Sequence, residues 1–292
     1  LAGQFTSEME IVVRDDSTND ETEKVVNEFK KKMPIRYFHG KKEGLDAAII
    51  FLTREARGKY VWWFGNDMMA DGAIEHILRT VKKDPEISFL FVNSRQITDK
   101  ETEGVLKLGG ERFFSDRNEV IEKVVDLLGF ITATIIRRDD AVSGLESAQK
   151  YVGTAWVCLY IVLHVLSREG KFFFISYPYI ITDVGDPARP TWYDGFTVFA
   201  INFYHVVGAF KGRFSGSSMR YMLSDNLDGI MKGIFVYRAE GYGHGLGSKE
   251  PKIRPLIKLY WSYPVFWKRL SLLFVPRPVA KFFYGIYKSR KN

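Results

Sequence analysis

The feature that most constrains this chain is the regular alternation of strand and helix signals across its first hundred residues. Short apolar runs at 10–13, 35–38, 59–64 and 87–92 read as strands. Between them, Val25, Val26 and Phe29, then Ile49, Ile50 and Leu52, then Ile74, Ile77, Leu78 and Val81 recur at helical spacing. The predicted helices span 22–32, 45–57 and a segment that Asp71 is expected to cap. Strand–helix–strand repeats demand crossover connections, so the expected class is α/β with a mostly parallel sheet.

The pattern continues less regularly. A Gly-flanked stretch at 104–110 precedes a predicted helix at 118–128, a strand at 130–136, a helix at 154–166 and a strand at 172–175. From Trp192 onward the chain is helical and aromatic. The apolar stretch 152–166 falls short of the roughly 18 residues of a membrane span and reads as a buried helix. Cys158, the single cysteine, lies inside it and is expected in the core. One cysteine excludes an internal disulfide and fits a reducing, cytoplasmic setting. The histidines lack metal-ligand spacing, so zinc is not expected.

Charge is unevenly placed. The chain is net +7, yet residues 251–292 hold ten Lys or Arg and no acid, so the first 250 residues are net acidic. Trp, Phe and Tyr alternate with these cations, and prolines cut the segment into short helical pieces. That pattern suits helices lying in the interface of an anionic membrane. A nucleic-acid tail would need a folded stacking platform, so no nucleic-acid partner is expected.

Two acidic stretches carry the chemistry. Lys59-Tyr60-Val61-Trp62-Trp63-Phe64-Gly65-Asn66-Asp67 delivers a carboxylate where a strand ends, and open α/β sheets bind ligands beyond such ends. Asp15-Asp16-Ser17-Thr18-Asn19-Asp20-Glu21-Thr22 places two adjacent acids at an earlier strand end. Neighbouring carboxylates repel unless something binds between them. Turn and capping chemistry also accounts for each piece taken alone.

Their order, together with Lys42-Glu43-Gly44-Leu45-Asp46-Ala47-Ala48 and Ala56-Arg57-Gly58-Lys59-Tyr60, resembles the nucleotide-sugar-binding half of family 2 glycosyltransferases, which have the Rossmann-like GT-A fold. The residues 62–67 are similar to those of the abequosyltransferase-like branch of bacterial polysaccharide enzymes. The resemblance covers about residues 8–100. It implies that Asp15 or Asp16 holds base and ribose, with Gly44 and Asn66 also at the donor. Asp67 would be the final acid of the family's Asp-x-Asp motif, binding Mg²⁺ or Mn²⁺.

The sequence departs from that family in three ways. Gly65 stands where the first acid of the motif often lies. The family's opening apolar strand is missing, so the chain is expected to start late. The helix that usually supplies the catalytic carboxylate begins Tyr151-Val152-Gly153-Thr154-Ala155-Trp156, with no acid. Asp140 and Glu146 are the candidate bases, Glu146 preferred over Asp140; Asp183 and Asp186 lie downstream. Arg189, in the Gly- and Pro-containing loop 182–192, is a candidate diphosphate ligand on a flap.

The expected organisation is a catalytic domain over 1–193, a helical extension over 194–250 and a membrane-interface tail over 251–292. The expected activity is inverting transfer from a nucleotide-diphosphate sugar to a lipid-linked saccharide, on the inner face of a membrane. Two alternatives remain: a non-catalytic membrane-associated binder, and an enzyme with a soluble or protein acceptor whose tail makes a homo-oligomer.

Overall fold

The structure is a computed structural model that describes residues 2–183, 194–241 and 253–289. The chain divides into two compact units, 1–183 and 184–292. The strands of the first are β1 (Ile11–Asp15), β2 (Ile35–His39), β3 (Tyr60–Trp62), β4 (Met68–Met69), β5 (Ile87–Gln96), β6 (Arg112–Phe113), β7 (Thr134–Arg137) and β8 (Lys171–Thr182). Its helices are α1 (Glu21–Phe29), α2 (Leu45–Glu55), α3 (Ala73–Lys83), α4 (Arg117–Val124), α5 (Arg138–Ser143), α6 (Leu145–Ala148) and α7 (Val157–Leu166).

The expected α/β class forms, but the sheet is mixed rather than mostly parallel. β1 pairs with β2 in parallel as a two-stranded sheet. The larger sheet runs β3-β7-β5-β8-β4, with β6 on β8. Within it β5 and β8 are parallel, whereas β7 runs against both β3 and β5. Apolar periodicity reports that a strand exists, not which way it runs. Among the described residues no pairing joins β1–β2 to the larger sheet.

β5 is central, and its first eight residues are buried, as a strand covered on both faces must be. Ile87, Leu90 and Val92 pack with Ile135, Ile175 and Ile180 in one core cluster. α7 is buried on nearly every side, which explains its unbroken apolar sequence. Cys158 is buried with it, and burial pushes its thiol up to about 12, far from a nucleophile's range. Among the described residues no helix is long and apolar enough to cross a membrane. Asp71 does not cap α3, because that helix starts after Gly72, whose left-handed φ of +80° turns the chain into it.

One carboxylate ties the entries of two strands. Glu10 Oε1, just before β1, accepts from the backbone N–H of Arg57 (2.5 Å) and Gly58 (3.1 Å), just before β3. Arg36 of β2 bridges Glu10 and Glu55. β1 and β3 therefore begin close together.

The second unit contains α8 (Phe203–Gly208), α9 (Gly216–Glu240), α10 (Ile253–Tyr260), α11 (Pro264–Arg269) and α12 (Arg277–Ser289). Ser215 caps α9 by accepting from Ser218 N. The basic, aromatic segment packs onto α9. Arg269 Nε donates to Asp228 (2.6 Å) and Lys288 Nζ to Glu240 (2.5 Å). Tyr260 is buried and its hydroxyl donates to the Ala200 carbonyl at 2.9 Å.

Candidate active site

Asp15 closes β1 and is 5% exposed. The Tyr37 hydroxyl donates to its Oδ2 at 2.6 Å, and Ser17 N donates to Oδ1 at 2.9 Å. These donors hold the Asp15 carboxyl below the usual aspartate range, the Tyr37 bond contributing most. The same bond pushes Tyr37 up to about 12. Asp16 points elsewhere and accepts from Gly44 N at 3.4 Å. Divergent partners thus separate the adjacent acids. Gly44 itself needs its φ of +84° to start α2.

Asp15 gains its partner on folding, so its contribution to stability is present above the unfolded aspartate pKa and lost as pH falls through its lowered folded value. Replacing Tyr37 with Phe removes the largest lowering influence. The Asp15 carboxyl is then expected to titrate higher and acid unfolding to begin at higher pH than in the parent. A carboxyl-resolved NMR titration of both proteins checks this; an unmoved Asp15 refutes it.

Asp67 follows β3 and is half-buried. The Thr132 hydroxyl donates to its Oδ2 at 2.5 Å, and Gly65 N donates to the same hydroxyl oxygen at 3.2 Å. Trp62 Nε1 donates to the Thr132 carbonyl at 2.8 Å. Gly65 has a packing reason: a Cβ there would stand 3.3 Å from Thr132 Oγ1 and 3.4 Å from Asp67 Oδ2. A side chain at position 65 would crowd the Thr132 hydroxyl that fixes Asp67. Asn66 is exposed beside it.

Asp46, in the first turn of α2, is 4% exposed. Its Oδ2 accepts from Gly153 N (2.9 Å) and Ala155 N (2.7 Å), and its Oδ1 from Val157 N (3.1 Å). The acid-free segment before α7 is therefore clamped by a carboxylate about a hundred residues earlier. The clamp bends that segment sharply: Ala155 has φ +65° and Gly153 φ +90°, and a non-glycine residue in the left-handed region is strained. The start of α2 thus contacts Asp16 on one side and the entry to α7 on the other.

Asp46 and Thr132 were not singled out by the sequence. The only signal for Asp46 is an acid one position into a helix whose other buried residues are mostly apolar. For Thr132 it is a hydroxyl within an apolar run.

The two candidate bases differ. Asp140 is buried, and its oxygens accept from Arg137 Nε (2.5 Å) and Arg168 Nε (3.2 Å). A carboxylate gripped by two guanidinium groups is fixed in place, which suits an anchor between α5 and the end of α7. Glu146 is exposed to solvent on α6. Asp183 is exposed at the end of the first unit. Arg189 and Asp186 lie outside the described residues.

Among the described residues no three His, Cys, Asp or Glu side chains gather as a metal cage. One carboxylate with a neighbouring hydroxyl, Asp67 and Thr132, fits Mg²⁺ or Mn²⁺ in its usual mode, where substrate phosphates and water supply most ligands.

Residues 1–141 match the family model described as Glycosyl transferase family 2. That span contains Asp15, Asp16, Gly44 and Asp67. Among solved structures the chain is similar to S. aureus TarS 1–349 in complex with UDP-GlcNAc, with 11% identity, TM-score 0.61, and coverage of 96% of this chain and 83% of that chain. It is also similar to TarS 1–349 in complex with UDP, with 12% identity, TM-score 0.55, and coverage of 80% of this chain and 65% of that one. Against S. aureus TarS the values are 12%, 0.55, 82% of this chain and 44% of that one. The chain thus spans 65% of the length of the TarS 1–349 chain in the UDP complex and 44% of the longer TarS chain. At such identities the likeness shows the fold: an α/β, GT-A-like sheet flanked by helices, with C-terminal helices. No curated protein matches.

Proposed function

We propose, from a chain whose residues 1–141 match the family 2 glycosyltransferase model, that this protein transfers a sugar from a nucleotide-diphosphate donor with inversion at the anomeric carbon. The observation that carries this reading is the placement of three acids. Asp15 closes β1 and Asp16 follows it, Asp67 follows β3, and Glu10 joins the entries of both strands. The UDP and UDP-GlcNAc named for the TarS structures support a nucleotide-sugar donor. The finer likeness to the abequosyltransferase-like branch rests on residues 62–67 and belongs to the same reading.

Asp16 accepts hydrogen bonds from ribose hydroxyls or base N–H, while Asp15, held by Tyr37 and Ser17, fixes the strand end from which it projects. Asp67, steadied by Thr132, would hold Mg²⁺ or Mn²⁺, which would supply positive charge to offset that of the leaving diphosphate. The acceptor oxygen bonds to the anomeric carbon as the bond to the diphosphate breaks, and the nucleoside diphosphate leaves. The acceptor proton goes to a carboxylate, for which Glu146 is the proposal. Holding both reactants in line supplies several kcal/mol of the barrier reduction. A lipid-linked saccharide is the proposed acceptor.

Thermal unfolding with UDP, GDP, dTDP or CDP, each with Mn²⁺, tests the donor site. A nucleotide at about 100 times its dissociation constant is expected to stabilise by about 2.7 kcal/mol. The reading fails if none of the four shifts the transition and no sugar nucleotide is turned over.

A further inference from the structure

We infer that α12 docks the protein on an anionic lipid bilayer, with Val279, Phe282, Phe283 and Ile286 seated among the headgroups and acyl-chain tops. Every one of these side chains is exposed; Phe282 is 64% and Phe283 56% accessible. At 3.6 residues per turn they fall on one side of the helix, and Arg277, Lys281 and Lys288 fall on the opposite side. Ala280 is the buried residue of α12. An aromatic and aliphatic stripe backed by cations is the build of an interfacial helix.

Charge selects the occupant. Among the described residues, Arg269 and Lys288 are paired with Asp228 and Glu240. Arg254, Lys258, Lys268, Arg277 and Lys281 are exposed, in a segment without a single acid. A surface of that sign attracts an anionic leaflet. Single-stranded nucleic acid stacks its bases on aromatics inside a basic groove, whereas here the phenylalanines face away from the lysines. Trp261 and Trp267, each 59% exposed and joined by Trp267 Nε1 donating to the Trp261 carbonyl at 2.7 Å, add the amphipathic rings that favour membrane interfaces.

The test is flotation of the full chain with phosphatidylcholine vesicles, with and without phosphatidylglycerol. The protein is expected to float with the anionic vesicles, weakly with the neutral ones, and less as salt rises. Phe282→Glu together with Phe283→Glu is expected to lower the bound fraction at least about tenfold, whereas Val25→Glu, at an exposed position on α1, leaves it unchanged. Arg277→Glu with Lys281→Glu, on the other side of the helix, is expected to weaken binding and flatten its salt dependence. An unchanged thermal midpoint certifies that each variant is folded. Flotation of the double phenylalanine variant at the parent level overturns the inference, as does equal binding to neutral and anionic vesicles. So does a parent dimer, seen by light scattering, that the variant dissolves without any vesicle binding. None of these readouts uses a sugar donor, so they stand or fall apart from the transferase reading.

Discussion

Asp67→Ala is expected to lower sugar transfer about 10³-fold, because an ion at a leaving diphosphate supplies several kcal/mol and each 1.36 kcal/mol is tenfold in rate. The fold should survive. Asp67 is half-buried, and among the described residues its side chain accepts one hydrogen bond, from Thr132, so the expected loss of stability is about 1 kcal/mol. Asp67→Asn separates charge from shape. It still accepts from Thr132 but lacks the carboxylate, and it is expected to be nearly as inactive. The added stabilisation expected from Mn²⁺ with the nucleotide should be absent in both variants, a readout that needs no turnover. Parent-level transfer by Asp67→Asn would remove Asp67 from the metal assignment.

The second large effect lies away from the reacting atoms. Asp46→Ala is expected to destabilise the first unit by about 3–5 kcal/mol, since hydrogen bonds to a charged group each contribute about 1.5–3 kcal/mol and buried donors left without acceptors cost more than the bond was worth. Three backbone donors, from Gly153, Ala155 and Val157, lose their acceptor at once. The left-handed Ala155 then loses the acceptor of its N–H. Asp46→Asn should fall between parent and alanine, because it keeps one acceptor oxygen but aims an NH₂ at other donors. Urea unfolding measures both. A loss below about 0.5 kcal/mol in the alanine variant, the range of ordinary surface changes, would mean that the clamp is not what shapes the entry to α7.

The two predictions mark where the sequence stopped being legible. Asp67 stood out locally, as an acid ending an apolar run, and the structure adds only what holds it. Asp46 sat in plain view within a quoted motif and received no role, because its partners lie more than a hundred positions later. Asp140 is the converse case: it was a candidate base by proximity, and its two arginine partners, Arg137 and Arg168, give it the character of an anchor. Gly65 reads as a missing ligand in the sequence and as space for the Thr132–Asp67 bond in the structure.

What the sequence determined by itself was the order of the main strands and helices over the first hundred residues and the acids at their ends, because both are written in neighbouring residues: apolar spacing, a glycine where a run breaks off, a carboxylate after a strand. The excess of cations in 251–292 was equally local. Tertiary structure alone decided the direction of β7 between β3 and β5 and the pairing of Asp15 with Tyr37. It alone decided the clamp from Asp46 to the entry of α7, and which face of α12 stays open. Each of these is a contact between distant positions, and a hydrogen bond or a packed ring leaves no periodic trace in either of the segments it joins.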